Sequence, residues 1–343
     1  MANIEYNKLK SFAPVFILLA ASVAVYFLFY SGATHETAGN KIRLTIGTAT
    51  PLPPAVEVAD GKGFFKDAGF DVDIQNLGSG RAALTALLEN KGLDVAIAAN
   101  LPVVFNSFDR DDYAVFAGYG KNDNFNRILV REDKGIKIPA DLKGKKIGLT
   151  KGSSAHYFLD LFLNANGLKA SDVEIINIDT LSLPKALADG QIDAISTWEP
   201  HIGNAKKMIG ADARVFLSAG VFIENFYFIA KKDFIEKNQD ALARFLKAVD
   251  RGNNFLKERP LESLDIISKR SGTDKSALIS YLADYEYGLY LDQAILISLE
   301  KQANWAVKNG LANADKIPDY RDYIYTEVLS ALNPKSVTIH PVK

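Results

Sequence analysis

The chain contains no cysteine. That absence removes disulfides, thiolate metal sites, cysteine nucleophiles and the acylated cysteine that anchors a bacterial lipoprotein. Histidine is scarce. His35, His156, His201 and His340 are scattered, with no HExxH or similar spacing, so a metal ion has no ligand set in the sequence. A charge bias is missing as well: 40 Lys and Arg stand against 41 Asp and Glu, a net charge of -1. Without a basic patch interleaved with aromatics, the electrostatic footprint of a nucleic-acid binder is absent. No lysine-bearing phosphate loop follows any glycine-rich turn, which leaves nucleotide binding unsupported. No nucleophile-base pair or acid dyad can be read either, so the sequence predicts neither an enzyme nor a cofactor.

What is present is ordinary globular material: 343 residues, 48% apolar and 24% charged, enough for two domains. It is preceded by a long apolar run. Phe12 to Tyr30 carries no charge, is interrupted only by Pro14 and Ser22, and follows Lys8 and Lys10. As a signal peptide it has a basic start, an apolar centre and Ser31-Gly32-Ala33 as a cleavage site. As an anchor it has the length of an N-terminal hydrophobic helix, with Tyr26, Phe27, Phe29 and Tyr30 suited to a membrane-interface belt. Under both readings residues 1–40 are a targeting or tethering segment with a polar linker. The folded part is expected in the periplasm, free or tethered to the inner membrane by residues 12–30.

From Lys41 onward the pattern is α/β. Ile42 to Thr48, Phe70 to Ile74 and Asp94 to Ala98 read as strands, and Gly78-Ser79-Gly80 opens a helix through Leu84, Leu87 and Leu88. Asp141 to Pro200 reads as an unbroken strand-helix-strand-helix-strand lobe, in which Ser182 caps a short helix with Pro184 in its first turn. Its echo is Gly69 to Asn100: the Leu88–Ala96 segment, ending GLDVA, aligns with Leu187–Ala194, ending GQIDA. Such βαβ runs close into mostly parallel sheets flanked by helices. A strand returns at Tyr227, and everything beyond Asp233 has helical period with breaks at Pro260, Gly272 and Asp292. The predicted organisation is one lobe from residues 41–127 and 227–343, with a helical C-terminal part, and a second from 128–226.

Ligands of open α/β sheets sit beyond the carboxyl ends of the strands. Five loops satisfy that rule: Thr48 to Pro54, Gly78 to Gly80, Asn100 to Pro102, Gly152 to His156 and Trp198 to Pro200. Gly152-Ser153-Ser154 and Gly78-Ser79-Gly80 are glycine-serine helix starts, whose N–H groups favour an anion; together they form a clamp for one small organic acid, or else two plain caps. Trp198 emerges from a buried strand and offers an apolar face with one donor, or fills core. Glu199 accepts from a ligand nitrogen or pairs with a surface cation. His156 reaches the ligand or caps its own turn, and Asn225 reaches it from the return crossing or serves a hinge.

DLKGKKIG, KGSSAHYFL and WEP, within Asp141 to Pro200, resemble the periplasmic substrate-binding proteins of the nitrate, sulfonate, taurine and pyrimidine-precursor uptake family, and stand nearest the aliphatic-sulfonate binders. The resemblance is looser over Ile42 to Asn106 and Phe226 to Phe245. It implies a two-lobed type II periplasmic-binding fold, hinged closure on the ligand, a monomer, and delivery to an ABC permease. It also implies that Ser153, Ser154, Trp198 and Glu199 line the pocket. The proline-rich loop TATPLPPAVEVAD departs from the sulfonate binders, so nitrate, taurine and pyrimidine or thiamine precursors stay open as ligands, as does a tethered sensor using the same cleft. Enzymes of this fold that make a pyrimidine precursor carry a cysteine-rich motif, which this chain lacks.

Overall fold

The computed structural model describes residues 41–49, 52–216 and 220–339. The apolar run at residues 12–30, with both of its readings, lies outside them. Among the described residues no helix is long and apolar enough to cross a membrane.

Two sheets organise the chain. The strands are β1 (Ile42–Thr48), β2 (Phe70–Asn76), β3 (Val95–Ala99), β4 (Tyr113–Asn122), β5 (Arg127–Arg131), β6 (Lys146–Leu149), β7 (Glu174–Asn177), β8 (Ala194–Thr197), β9 (Ala213–Phe216), β10 (Glu224–Lys231) and β11 (Tyr285–Tyr290). The helices are α1 (Pro54–Gly61), α2 (Phe64–Asp67), α3 (Gly80–Leu88), α4 (Asn100–Ser107), α5 (Ser154–Ala165), α6 (Leu183–Ala188), α7 (His201–Ile209), α8 (Lys232–Lys237), α9 (Gln239–Glu258), α10 (Pro260–Ser271), α11 (Lys275–Ala283), α12 (Gln293–Lys308) and α13 (Glu327–Leu332). The first sheet runs β11-β4-β10-β3-β1-β2 and the second β7-β6-β8-β5-β9.

The parallel pairs β1–β2, β1–β3, β6–β7 and β6–β8 come from the βαβ runs, as the periodicity predicts. Antiparallel pairs enter through the strands that carry the chain from one sheet to the other. β5 runs against β8 and β9, and β10 runs against β3 and β4. The chain crosses from β4 to β5 through residues 123–126 and returns into β10 at Glu224. The second sheet has one apolar core on each face, around Phe158 and Phe162 of α5 and around Leu187 and Ile202 of α6 and α7.

Local chemistry explains most boundaries. Ser79 accepts a hydrogen bond from Ala82 N at 3.1 Å and caps α3. Asp292 does the same for α12 through Ile295 N, at 3.2 Å. Pro260 opens α10, and Gly272, at φ 69°, closes it. Ser182 departs from expectation: it precedes α6 but its side chain makes no cap bond, because Asp179 caps the tight turn Thr180–Ser182 just before it by accepting from Leu181 N at 2.9 Å.

Two further departures are larger. The segment beyond Asp233 is not helical throughout, since Tyr285–Tyr290 forms β11 on the edge of the first sheet. Its partner β4, ten residues long and almost wholly buried, carries no helix or turn period and has Gly118 and Gly120 at its centre. The two surprises share one cause. A Cβ at Gly118 would stand 2.6 Å from the Tyr290 ring, so the glycine is the floor on which that ring lies. The Tyr290 hydroxyl then reaches Gly120 O and Asn225 Oδ1, both at 3.0 Å.

Gly118→Ala would relieve about 0.5–1 kcal/mol of strand entropy but force the ring off its seat, an overpacking cost of about 1–3 kcal/mol. The expected outcome is net destabilisation with a lowered urea midpoint. An unchanged or raised midpoint would mean that the ring relaxes freely.

Candidate functional site

Buried polar side chains gather where strands end or the chain crosses between sheets. Thr48 ends β1, Asn100 follows β3, Asn126 precedes β5, Thr197 ends β8, and Glu224 and Asn225 open β10; all are buried. Polar groups cost free energy in such places unless hydrogen-bonded. Two helices of useful length begin here, α4 at Asn100 and α5 at Ser154. Their first-turn N–H groups have no partner within the helix and carry partial positive charge.

Glu224 sits between them with no exposed surface. Asn126 Nδ2 donates to Glu224 Oε2 at 3.0 Å. The Ser154 hydroxyl and the Asn100 backbone N–H also stabilise the charged form, and the Ser154 hydroxyl lies 3.2 Å from Asn126 Oδ1 as well. Burial nevertheless dominates and pushes the carboxyl from its ordinary 4.5 up to about 7. Glu224 Oε1 has no hydrogen-bond partner, nor has Asn100 Oδ1, while Asn100 Nδ2 donates to Ser298 Oγ of α12 at 2.7 Å.

The other expected site residues divide by what already holds them. Ser79 is committed to its cap, and Gly80 is where α3 meets β3: a Cβ there would lie 3.0 Å from Ala98 Cα. Ser153 donates to Thr150 O at 2.7 Å. His156 Nδ1 accepts from Gly152 N at 3.3 Å, its ring meets Trp305 edge-on at 5.1 Å, and burial holds its imidazole below the usual range. Glu199 accepts from Gly203 N at 3.0 Å in the first turn of α7 and faces Arg127 Nη1 at 3.4 Å. Asn225 is taken by Tyr290. Trp198 is half-buried, stacked on Phe125 at 6.0 Å. Of the nine expected residues, Asn100 and Ser154 are the two that converge on one buried group.

That group is itself a residue the sequence reading passed over, as is Asn126. A signal existed: Glu224 is a carboxylate heading an otherwise apolar strand, ENFYFIAK, in which the next six positions are buried.

Contacts between the sheets' flanking elements combine polar bonds with an aromatic cluster in which Tyr157 of α5 joins the core of the first sheet. Arg127 Nη2 donates to Asp284 Oδ2 at 2.7 Å, Arg81 Nη2 to Gly152 O at 3.2 Å, and Trp305 Nε1 to Asp160 Oδ2 at 2.6 Å. Arg81 also lies over the Phe105 ring at 4.9 Å. Beside this contact is an open cavity of about 570 Å³, lined by Arg81, Phe105, Asp109, Lys151 and Gly152 among others. Glu224 does not line it; the unpartnered Glu224 Oε1 and Asn100 Oδ1 lie at the junction, away from this cavity.

A profile of the NMT1/THI5-like family matches residues 55–263. The chain belongs to that family. A Bacillus subtilis protein named for binding aliphatic sulfonates is 30% identical over 281 residues, 78% of this chain and 82% of its own length. The taurine-binding periplasmic protein of Escherichia coli is 26% identical over 209 residues, 60% and 64%. Among solved structures, the alkanesulfonate-binding protein SsuA of Xanthomonas axonopodis pv. citri, bound to MOPS, superposes with a TM-score of 0.72 at 20% identity, covering 83% of this chain and 98% of that one. The fold of the family, a mixed α/β arrangement of two sheets flanked by helices, is therefore that of the periplasmic binding proteins. A desulfurization enzyme, DszB, has the same fold at a TM-score of 0.61 and 16% identity, with 85% and 99% covered. The fold alone thus does not decide between binding and catalysis.

Glu224 gives the protein a measurable pH response. The folded state keeps this proton up to about pH 7, while the unfolded chain releases it near 4.5. Between those values the folded state binds more protons, so stability falls as pH rises through the window. The loss is on the order of 3 kcal/mol. Burial pushes Glu57 up to about 7 too, in spite of Arg270 at 3.3 Å, and adds its own slope. Subtracting the thermal-melt profile of Glu224→Gln from that of the natural protein, from pH 4.5 to 8, isolates Glu224. The expected difference shifts in favour of the variant as pH rises, and a flat difference would show that the carboxyl titrates normally.

Proposed function

We propose that this protein is the extracytoplasmic solute-binding component of an ABC importer, which captures a small sulfonate-bearing organic solute between its lobes and delivers it to a permease. The reading takes residues 41–127 with 227–343 as one lobe and 128–226 as the other, closing by hinge motion and working as a monomer in the periplasm. The observation that carries it is the convergence of the α4 and α5 N-termini, at Asn100 and Ser154, on one buried junction.

Family membership and the relatives named for sulfonate and taurine binding support the substrate class. Arg81 and Lys151, cations beside Gly152, supply charge of the sign that a sulfonate requires. Ser154 and Asn100 face the solute, and Trp198 offers its half-buried face to the carbon skeleton. Ser79, Gly80, Ser153, His156, Glu199 and Asn225 hold the surrounding turns in place through the bonds described above. Binding, not turnover, is the chemistry expected of this set, since neither a nucleophile with its base nor an acid pair stands at the junction.

A ligand that binds only the folded protein must raise its melting temperature, by the equivalent of about 2.7 kcal/mol at a hundredfold excess over Kd. A panel of alkane- and arylsulfonates, aminosulfonates, nitrate and aminopyrimidines read by thermal shift should single out sulfonated members. Trp198→Ala should weaken the best of them by roughly tenfold. No shift with any sulfonated compound would end the sulfonate reading, and release of altered solute on incubation would end the non-catalytic one.

A further inference from the structure

We infer that the protein captures its anionic solute together with a proton, which Glu224 holds, so that the junction carries one negative charge at a time. This rests on the solute-binding reading of the junction and adds a co-ligand, the proton, to that same site.

One set of donors serves two anions. A converging pair of helix N-termini favours a negative charge, and Asn100 and Ser154, at the starts of α4 and α5, face the solute in that reading. The same two residues stabilise the ionised form of Glu224, through the Asn100 backbone N–H and the Ser154 hydroxyl. Glu224 has no exposed surface, so its charge would meet that of a bound anion in a site without water, where like charges are screened least. An ionised Glu224 and an anionic solute therefore exclude one another. A neutral Glu224 releases the helix starts to the solute.

The surroundings suit the neutral acid. Asn126 Nδ2 donates to Oε2, while Oε1 has no partner. A proton on Oε1 turns that unpaired acceptor into a donor, and Asn100 Oδ1, on the residue whose N–H bonds the carboxyl, is a buried acceptor in need of one. The other groups packed around the junction bring no unpaired charge. β10 and α5 contribute the phenols of Tyr227 and Tyr157, which burial holds above their ordinary range. Asn122 of β4 lies opposite Glu224 in the sheet, and its neighbour Lys121 is paired with Asp292 at 2.6 Å. α12 adds Ser298 and Gln302, both uncharged, behind Asn100. Arg127 of the outgoing crossing is spent on Glu199 and Asp284. His156, two residues along α5 from Ser154, accepts from Gly152 N, and burial holds its imidazole below the usual range. The Glu224 carboxyl, pushed up to about 7, is left as the group whose charge changes on the alkaline side of neutrality. At acid pH it is neutral in the free and the solute-bound protein alike, and affinity is flat. As pH rises through about 7 the free protein loses the proton and must regain it to bind, so affinity for an anion falls, by about tenfold per pH unit well above that value.

Calorimetric titration of the full-length protein with propanesulfonate and benzenesulfonate, whose own charge is constant over this range, tests this in amine buffers free of sulfonate and phosphate. Affinity should hold steady between about pH 5.5 and 6.5 and fall by about tenfold between about pH 7.5 and 8.5. At about pH 8, the change in observed heat between Tris and triethanolamine buffers should report close to one proton taken up per solute. Glu224→Gln, neutral at every pH, should bind with one affinity across the range and take up no proton. An affinity of the natural protein that does not change with pH, or proton uptake that persists in Glu224→Gln, would overturn the inference and leave the sulfonate reading intact. If Glu224→Gln does not fold, infrared difference spectra of the natural protein decide: adding the solute on the alkaline side should convert a carboxylate band into the carbonyl band of a buried acid, and no such conversion would overturn the inference. Nitrate completes the series. Capture of nitrate with a proton and no binding of either sulfonate sustains the inference and removes the sulfonate; failure of every anion to bind at any pH removes both.

Discussion

A carboxylate sealed inside a protein is among the most expensive groups a fold can hold, and the arrangement of this one depends on how Glu224 is kept. Moved from water without partners, such a group costs several kcal/mol or simply takes up a proton. Glu224, carried to the junction by β10, is provided with donors from three parts of the chain: the start of α4, the start of α5 and the outgoing crossing at Asn126. These are the parts that must stay in register for the two sheets to present their strand ends to each other. The incomplete satisfaction is as informative as the bonds: burial wins over the donors, the carboxyl is pushed up to about 7, and one oxygen stays unpaired.

The contacts between the two sheets come from the same layout. Beside the two crossings and the packing of Tyr157 and Leu161 of α5 on the first core, the sheets' flanking elements are joined by polar contacts, Arg127 with Asp284, Arg81 with Gly152 and Trp305 with Asp160. Partly exposed pairs of this kind contribute modestly, and interfaces so constituted separate more easily than an apolar core. Trp305 is the exception in size, because its ring also meets His156 and Tyr157 at 5.1 and 5.2 Å. Separating the sheets would expose that aromatic cluster to water, a cost that favours the arrangement seen here.

Much of the fold was legible because it is written in local periodicity. The βαβ runs, the cap at Ser79 and the boundaries at Pro260, Gly272 and Asp292 follow from side chains acting on their own neighbourhoods. β4 and β11 were not legible, because their stability is relational. Gly118 carries no signal of its own until Tyr290, far along the chain, is laid across it. The site divides in the same way. Serine and glycine at helix starts announce a possible anion site, yet Ser79 and Ser153 prove to be occupied with their own backbone. Glu224 and Asn126 gain their meaning only from being brought together across 98 residues.

The built-in carboxylate also bears on discrimination. A pocket that relies on apolar contact and a general positive field distinguishes one small sulfonate from another by only about 1–3 kcal/mol per methylene. A buried acceptor that must be satisfied behaves differently, since a ligand lacking the donor leaves the acceptor unpaired and forfeits its desolvation cost as well as the bond. Burying Glu224 is a penalty of this kind, which the protein imposes on itself. A standing penalty of that kind discriminates among partners without any contact designed against each wrong one.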